Sequence, residues 1–412
     1  MFKYMIMFVL LTPLIGISLV EDGAYAASVG KIGMPNGATT AFGAYVLGVV
    51  VVTLIAMGPR RDLSMVATVP RISAIADDEC FQFSLRLLLL ITIYIMAMLF
   101  MFGGIHVWLG TLEKGMFRTN LGPFGAIPYA MTKFIIPALF AYSTMLQMRI
   151  KHGGRCKWLW RLNALLIIIA GSTWGFKTTG MFMLLPGLLI LNWKMSLNKA
   201  ALLAAAFFAS LVVFFFVFDA ELMDGVNVFQ FLVERLTVLQ GDVSWYVWGQ
   251  YIDGIEFPNY FPSLLAGFGD SIIGTFVDKG NFFEWMGFHY DWMLTYIAVG
   301  SEEAIIHGHS VTGTPFSEGI IAGGWMGIAI FAIIAGLLIG RMYRILSNAI
   351  ENGRANMAAL LSTYFCFHIF AWLNGGAITQ LFHISVLANL LLSYALIKLM
   401  RHQPRLCIPD RA

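Results

Sequence analysis

Apolar runs close to the length of a bilayer crossing recur along this chain, and nothing else in it limits the fold as tightly. A bilayer core takes about twenty apolar residues of α-helix to cross. In lipid a segment must also satisfy its own backbone N–H and C=O groups, which a helix does internally and an open strand does not. Ten runs, at approximately 2–20, 41–58, 85–103, 124–147, 162–176, 178–193, 200–218, 319–340, 357–373 and 380–398, therefore predict helices. The fold class expected is an all-α polytopic membrane protein with about ten transmembrane helices. The fifth and sixth runs are short and meet at Gly175-Phe176-Lys177-Thr178, which fits a tight hairpin that stops short of a full crossing. Composition agrees: of 412 residues, 59% are hydrophobic and 12% charged, where soluble domains carry about a quarter charged residues.

Orientation follows from Lys and Arg, which collect in cytoplasmic loops. With the N-terminus inside, 19 of the 26 basic residues are cytoplasmic, and only Lys31, Lys114, Arg118, Lys133, Lys177, Arg235 and Lys279 remain for the outer half. The opening residues, with Lys3, an apolar run and Ala24-Tyr25-Ala26, imitate a signal peptide. The single charge and the span-length run favour retention as a first helix. The net charge of +3 comes from the basic loops and gives no reason to expect nucleic acid. None of Cys80, Cys156, Cys366 and Cys407 falls in a segment placed outside, so neither disulfides nor a thiolate metal site are expected.

The chain then divides into residues 1–218, carrying helices one to seven; 219–318, one large outer loop; and 319–412, carrying the last three helices and a short basic tail suited to lipid headgroups. The loop is unusual. It holds fourteen of the 23 acidic residues, nineteen aromatics and only two basic residues, Arg235 and Lys279, for a formal charge of twelve negative (fourteen minus two). Most of the aromatics read as interfacial belt and loop core, and the loop is where chemistry is expected.

Outward cations that membrane insertion disfavours need a reason. Arg235 follows the amphipathic run Val228, Leu232, Leu236, Leu239. It reads either as a salt bridge to Glu234 or Asp242, or as a fork for a diphosphate, two N–H groups to two oxygens. Arg118 and Lys114 lie in the short outer loop 104–123, Lys133 about nine residues into the fourth helix, and Lys177 at the hairpin. Together with Arg235, the residues Arg118, Lys133 and Lys177 are expected to line one cationic pocket. The second cluster is His307-Gly308-His309-Ser310, Thr314-Pro315 and Glu318, with Gly319, Gly323, Gly324 and Gly327 beyond. Glu318 reads as a helix-terminus carboxylate, and the glycines as close helix packing. His307 and His309, with His289 or Asp291, match no zinc spacing, so no metal is expected and an imidazole here is more plausible as an acid–base group.

Two segments resemble those of a known family. Glu234-Arg235-Leu236-Thr237-Val238-Leu239-Gln240-Gly241-Asp242 with Trp245-Tyr246 resembles the start of the large outer loop of bacterial oligosaccharide repeat-unit polymerases of the O-antigen type. His309-Ser310, Thr314-Pro315, Glu318 and Gly324-Trp325-Met326-Gly327 are similar to the end of that loop. The resemblance implies a glycosyltransferase with a GT-C-like multi-helix fold in the bacterial inner membrane, its one large loop and active site facing the periplasm. It implies transfer of a growing glycan from undecaprenyl diphosphate to an incoming lipid-linked repeat unit, with no cofactor and no metal. On this reading Arg235, Arg118, Lys133 and Lys177 stabilise charge on the departing diphosphate, and His309 or Glu318 takes the acceptor proton. The partners implied are undecaprenyl-diphosphate-linked oligosaccharides, membrane lipids and a chain-length regulator protein. Three rivals stand beside it. An O-antigen ligase shares the His309 and Glu318 pattern. A metal-dependent prenyl-phosphate sugar transferase would use Glu21-Asp22 in the first outer loop. A flippase or transporter would show repeated halves or broken helices.

Overall fold

The structure is a computed structural model that describes residues 1–58, 74–108, 117, 121, 128, 131–149, 154–172, 179–218, 228–278, 280–306 and 309–402. Helix α1 (Phe2–Glu21) leads through a two-residue antiparallel ribbon, Tyr25–Ala26 on Lys31–Ile32, into α2 (Ala38–Met57) and α3 (Ala74–Met101). A π-helical turn at Met131–Ile135 opens α4 (Ile136–Arg149), followed by α5 (Gly154–Ser172), α6 (Thr179–Leu191) and α7 (Leu197–Phe218). The expected loop contains α8 (Val228–Leu236), α9 (Val238–Ile252), a 3-10 helix at Phe261–Phe268 and α10 (Tyr290–Val299). Helix α11 (Pro315–Glu351) comes next, then α12 (Ala355–Tyr364), which runs on through a π-helical turn, Phe365–Ile369, to Leu373. A 3-10 turn at Ile378–Leu381 precedes α13 (Ile384–His402).

Among the described residues six helices are long and apolar enough to cross a membrane: Phe2–Glu21, Ala38–Met57, Glu79–Met101, Pro315–Glu351, Ala355–Leu373 and Ile378–Met400. Of the remaining expected spans, α6 is only thirteen residues long. The run 162–176 ends as helix at Ser172, and the run 124–147 carries a π-helical turn at Met131–Ile135. Large apolar side chains such as Leu47, Leu54 and Ile55 on α2, and Leu387, Leu391 and Leu399 on α13, are exposed. Such faces are stable when hydrocarbon covers them.

Packing depends on glycine at several crossings. Along α2 and α11, Gly48 faces Ala332, Val52 faces Gly336 and Ala56 faces Gly340, so the two helices run parallel. A Cβ on Gly336 would lie 2.6 Å from the Val52 Cβ, and one on Gly340 2.7 Å from the Thr53 carbonyl oxygen. Small residues let the backbones approach this closely. Helix α9 crosses α1 in the same way, Gly241 against Pro13, Gly16 and Ile17, and Gly16 against Thr237. The start of the expected loop is thus a helix inserted against the first span.

The buried side chains form two main clusters. One joins α1, α2, α9, α10, α11 and the Phe365–Leu373 stretch. The other joins α3, α4, α6, α12 and the end of α13. Phe367 and Ile350 touch both.

Helix α11 begins at Pro315, three residues before the loop boundary expected at 318. Proline at the first helical position has its ring preset for the turn and no N–H to leave unpaired. The helix is broken at Gly323 and Gly324, where φ and ψ are 57° and −133° at Gly324. This conformation is open essentially to glycine alone. The chain folds back there, so that a Cβ on Gly319 would lie 2.9 Å from the Gly327 carbonyl oxygen.

Candidate functional site

The site builds from the first turns of α11. Thr314 holds the N-cap position in extended backbone but does not cap with its side chain. Its hydroxyl is 2.9 Å from the Ser244 hydroxyl of α9, both buried. Ser317 donates to the Thr314 carbonyl at 2.7 Å and meets the Tyr290 hydroxyl of α10 at 3.4 Å. Further along, Trp248 packs on Phe316 and edge-on against Trp325, with ring centroids 5.9 and 4.9 Å apart, and the Tyr251 ring fills the space beside Gly324. The two segments singled out in the sequence, 234–246 with the helix they open and 309–327, therefore meet.

Glu318 lies at the centre, fully buried. Its Oε1 accepts the Tyr260 hydroxyl at 2.6 Å and the Ile378 backbone N–H at 2.9 Å, and its Oε2 accepts the Trp372 indole N–H at 2.8 Å. This is more than the surface helix-terminus carboxylate the sequence suggested. Three donors convert a costly buried charge into a tie between the loop, the end of the 355–373 helix and the 378–381 turn. Burial, and next the charge of Glu318, push the Tyr260 and Tyr290 hydroxyls well above the ordinary phenol range. Both therefore stay protonated, and Tyr260 remains a donor.

Beside this hub the two π-helical turns face one another. Phe134 stacks on His368 at 5.2 Å and 11°, and Tyr364 lies against the same ring at 5.4 Å. The Gln380 carbonyl faces the imidazole, and Lys133 lies on the same π-helical turn as Phe134. Single π-helical turns are uncommon and concentrate at functional sites. Next to Phe316, on α2, the buried hydroxyl of Tyr45 has no hydrogen-bond partner. Tyr45 lines an apolar cavity of about 320 Å³ between α2 and α11, with Ala41, Gly48, Trp325, Ile328 and Ala332.

The other expected site residues are dispersed. His309 is exposed, its backbone N–H bonded to the Ala304 carbonyl at 2.9 Å. Arg235 is exposed on α8 with its guanidinium 5.0 Å over the Phe231 ring. Asp242, one of its expected salt-bridge partners, instead accepts the backbone N–H groups of Ser28 at 2.9 Å and Val243 at 2.7 Å. Among the described residues no hydrogen bond, ion pair or ring contact joins Arg235 to Lys133, His309 or Glu318. Arg118, Lys177, Lys279 and His307 lie outside the described residues. Of the acidic pair of the metal-dependent rival, Glu21 is committed elsewhere: it accepts the backbone N–H groups of Asn36, Ala38 and Thr39 at 2.9–3.1 Å and so caps α2. Among the described residues no three His, Cys, Asp or Glu side chains converge as a metal site would require.

Sequence reading missed Tyr260, Trp372 and His368. For His368 a signal existed, since an ionisable residue inside an apolar span marks a functional position by default. For Tyr260 and Trp372 no spacing could show that they reach Glu318.

Helices of this length and apolarity, joined by a polar site at one end of the bundle, define an all-α membrane protein. No family model, no curated protein and no solved structure matches the chain.

Proposed function

We propose that the protein is a glycosyltransferase that polymerises lipid-linked oligosaccharide repeat units, an O-antigen type polymerase at the periplasmic face of the bacterial inner membrane. One observation carries this reading. The two segments that resemble such polymerases, far apart in sequence, are in direct contact through Ser244 and Thr314 at 2.9 Å and are tied to the span ends by Glu318.

In this reaction the acceptor sugar hydroxyl bonds to the anomeric carbon of the growing glycan. The bond from that carbon to the undecaprenyl diphosphate oxygen breaks, and its electron pair leaves with the diphosphate. Lys133, on the π-helical turn whose Phe134 stacks on His368, is the cation assigned to meet that charge, with Arg118, Lys177 and the exposed Arg235 as the further cations. Of the two candidate bases, Glu318 has its oxygens engaged by three donors while His309 is exposed, so the hydroxyl proton goes to His309 and Glu318 positions the segments. The apolar cavity beside Tyr45 suits a lipid chain. A chain-length regulator is the protein partner this chemistry calls for.

A second reading has one feature in its favour. The break in α11 at Gly323–Gly324 is of the kind transporters place at their substrate sites. Deleting the gene and examining the surface polysaccharide separates the readings. Single repeat units on lipid A support the polymerase, missing surface repeats with intact lipid-linked polymer support a ligase, and lipid-linked units accumulating in the cytoplasm support a flippase.

A further inference from the structure

The acidic outer loop contains one stretch that water does not suit. From Phe261 to Val277 the only charged residue is Asp270, and the large apolar side chains of Phe261, Leu265, Phe268, Ile272 and Phe276 are exposed. Phe276, at 84%, is the most exposed large hydrophobic side chain among the described residues. The other face of the stretch is packed. Ser263, Gly267, Ile273 and Val277 are buried, and Ile273 and Val277 sit with Trp285, Phe288 and Trp292. The stretch therefore has a folded inner side and an apolar outer one. Its single charge, Asp270, lies 3.9 Å from His289 Nε2.

The neighbour of this outer face identifies what covers it. A Cβ on Gly267 would lie 2.6 Å from the Phe382 ring, and one on Gly269 3.7 Å from the Ile384 side chain, so the stretch rests on the first residues of the span Ile378–Met400. That span carries exposed Phe382, Ile384, Leu387 and Leu391, a surface that hydrocarbon covers. Phe268 lies between the two contacts, and its exposed ring adjoins that surface. A segment resting on the end of a span sits where the bilayer meets water. An apolar face continuous with a lipid-facing one, and without charges for a protein partner to match, fits acyl chains. We infer that residues 261–276 form an interfacial segment whose apolar face is seated in the lipid at the hub end of the bundle. The site feels this directly. Ser263 donates its hydroxyl to the Tyr260 carbonyl at 2.7 Å, and Tyr260 donates its own hydroxyl to Glu318. Lipid thus steadies a donor to the buried glutamate from outside, whatever reaction the site performs.

The test uses the full-length protein in phosphatidylcholine nanodiscs, with Cys156→Ser and Cys407→Ser and with the buried Cys80 and Cys366 kept. A thiol-reactive fluorophore is attached at Phe268→Cys or Phe276→Cys, at Leu391→Cys within the span, and at Glu302→Cys, an exposed polar position. A lipid nitroxide just below the headgroup should quench the labels at 268 and 276 more strongly than a nitroxide near the chain end, the reverse of the label at 391. Aqueous iodide should quench them less than the label at 302. Phe268→Glu with Ile272→Glu, both at exposed positions that leave the packed face intact, should sharply lower lipid quenching of the label at 276. Iodide quenching equal to that at 302, with no lipid quenching, overturns the inference. So does a label shielded from both quenchers, which would put a protein partner or a second copy on the face, and so does unchanged lipid quenching in the Glu pair. No product is measured, so the outcome is independent of the polymerase reading.

Discussion

At the scale of single residues, the arrangement around Glu318 makes the strongest forecast. Glu318→Ala removes the acceptor from Tyr260, Trp372 and Ile378 together, and a buried donor without its partner costs roughly 1–3 kcal/mol. The variant should melt far below wild type or fail to accumulate. Glu318→Gln keeps one carbonyl for Tyr260 and Ile378 but turns an amide N–H toward the indole N–H of Trp372, so it should lose less. Adding Trp372→Phe to the Gln variant should then cost less than Trp372→Phe alone, a coupling that a double-mutant cycle on melting temperature reads directly. Strict additivity would mean that the indole and carboxylate do not interact. His309 predicts the opposite signature. As an exposed proton acceptor its loss to Ala should leave the melting temperature unchanged and cut turnover of lipid-linked repeat units by about two to four orders of magnitude. Asp242 supplies a pH dependence. Burial raises its carboxyl above the ordinary range, opposed by the N–H groups of Ser28 and Val243. An acid with a raised folded pKa costs no stability below the ordinary carboxylate value of about 4, and the cost of ionising it grows as pH rises through the folded value. The melting temperature of wild type relative to Asp242→Asn should therefore fall across that window, and a constant difference would exclude the effect.

Elements were legible where a pattern of residues is their cause, and illegible where contact is. The break in α11 shows both. Four glycines in 319–327 were read as close packing, which Gly319 and Gly327 confirm, but which pair bends the chain depends on backbone angles that the letters do not carry. The two central glycines predict different outcomes. A Cβ on Gly323 meets nothing, whereas Gly324 has φ +57° and its Cβ would fall 2.5 Å from the Tyr251 hydroxyl oxygen. Gly323→Ala should be tolerated and Gly324→Ala should lower the yield of folded protein, since the left-handed backbone alone costs about 1–2 kcal/mol. Equal behaviour of the two would remove the break as a structural requirement. The same limit explains α9. The segment lies within the expected outer loop, yet its Asp242 and Ser244 are buried, paired to Ser28 and Thr314, and the glycine crossing with α1 has no sequence period to announce it. Within the expected fourth helix, Met131–Ile135 likewise forms a π-helical turn, because a run of apolar letters fixes burial and not hydrogen-bond register.

For the whole molecule, the parallel run of α2 and α11 is what the expected alternation of spans requires, with both helices leaving the same side. It fixes relative direction only; the charge split fixes the absolute one. In the expected topology nineteen of the 26 Lys and Arg residues share the side on which α2 and α11 end, and seven share the other. Insertion places the basic side in the cytoplasm, so the buried glutamate, the paired π-helical turns and the acidic helical segment should all face the periplasm. A membrane-impermeant thiol reagent reports this on intact cells and spheroplasts. Gly280 and Ser310 are exposed at the hub end, and cysteines placed there should be labelled from outside. Native Cys407, in the basic tail, should react only after the membrane is opened, and the buried Cys80 and Cys366 should stay silent in both conditions and so leave the signal readable. Labelling of Cys407 in sealed spheroplasts, with Gly280→Cys and Ser310→Cys protected, would invert the molecule and with it every periplasmic assignment made for the site.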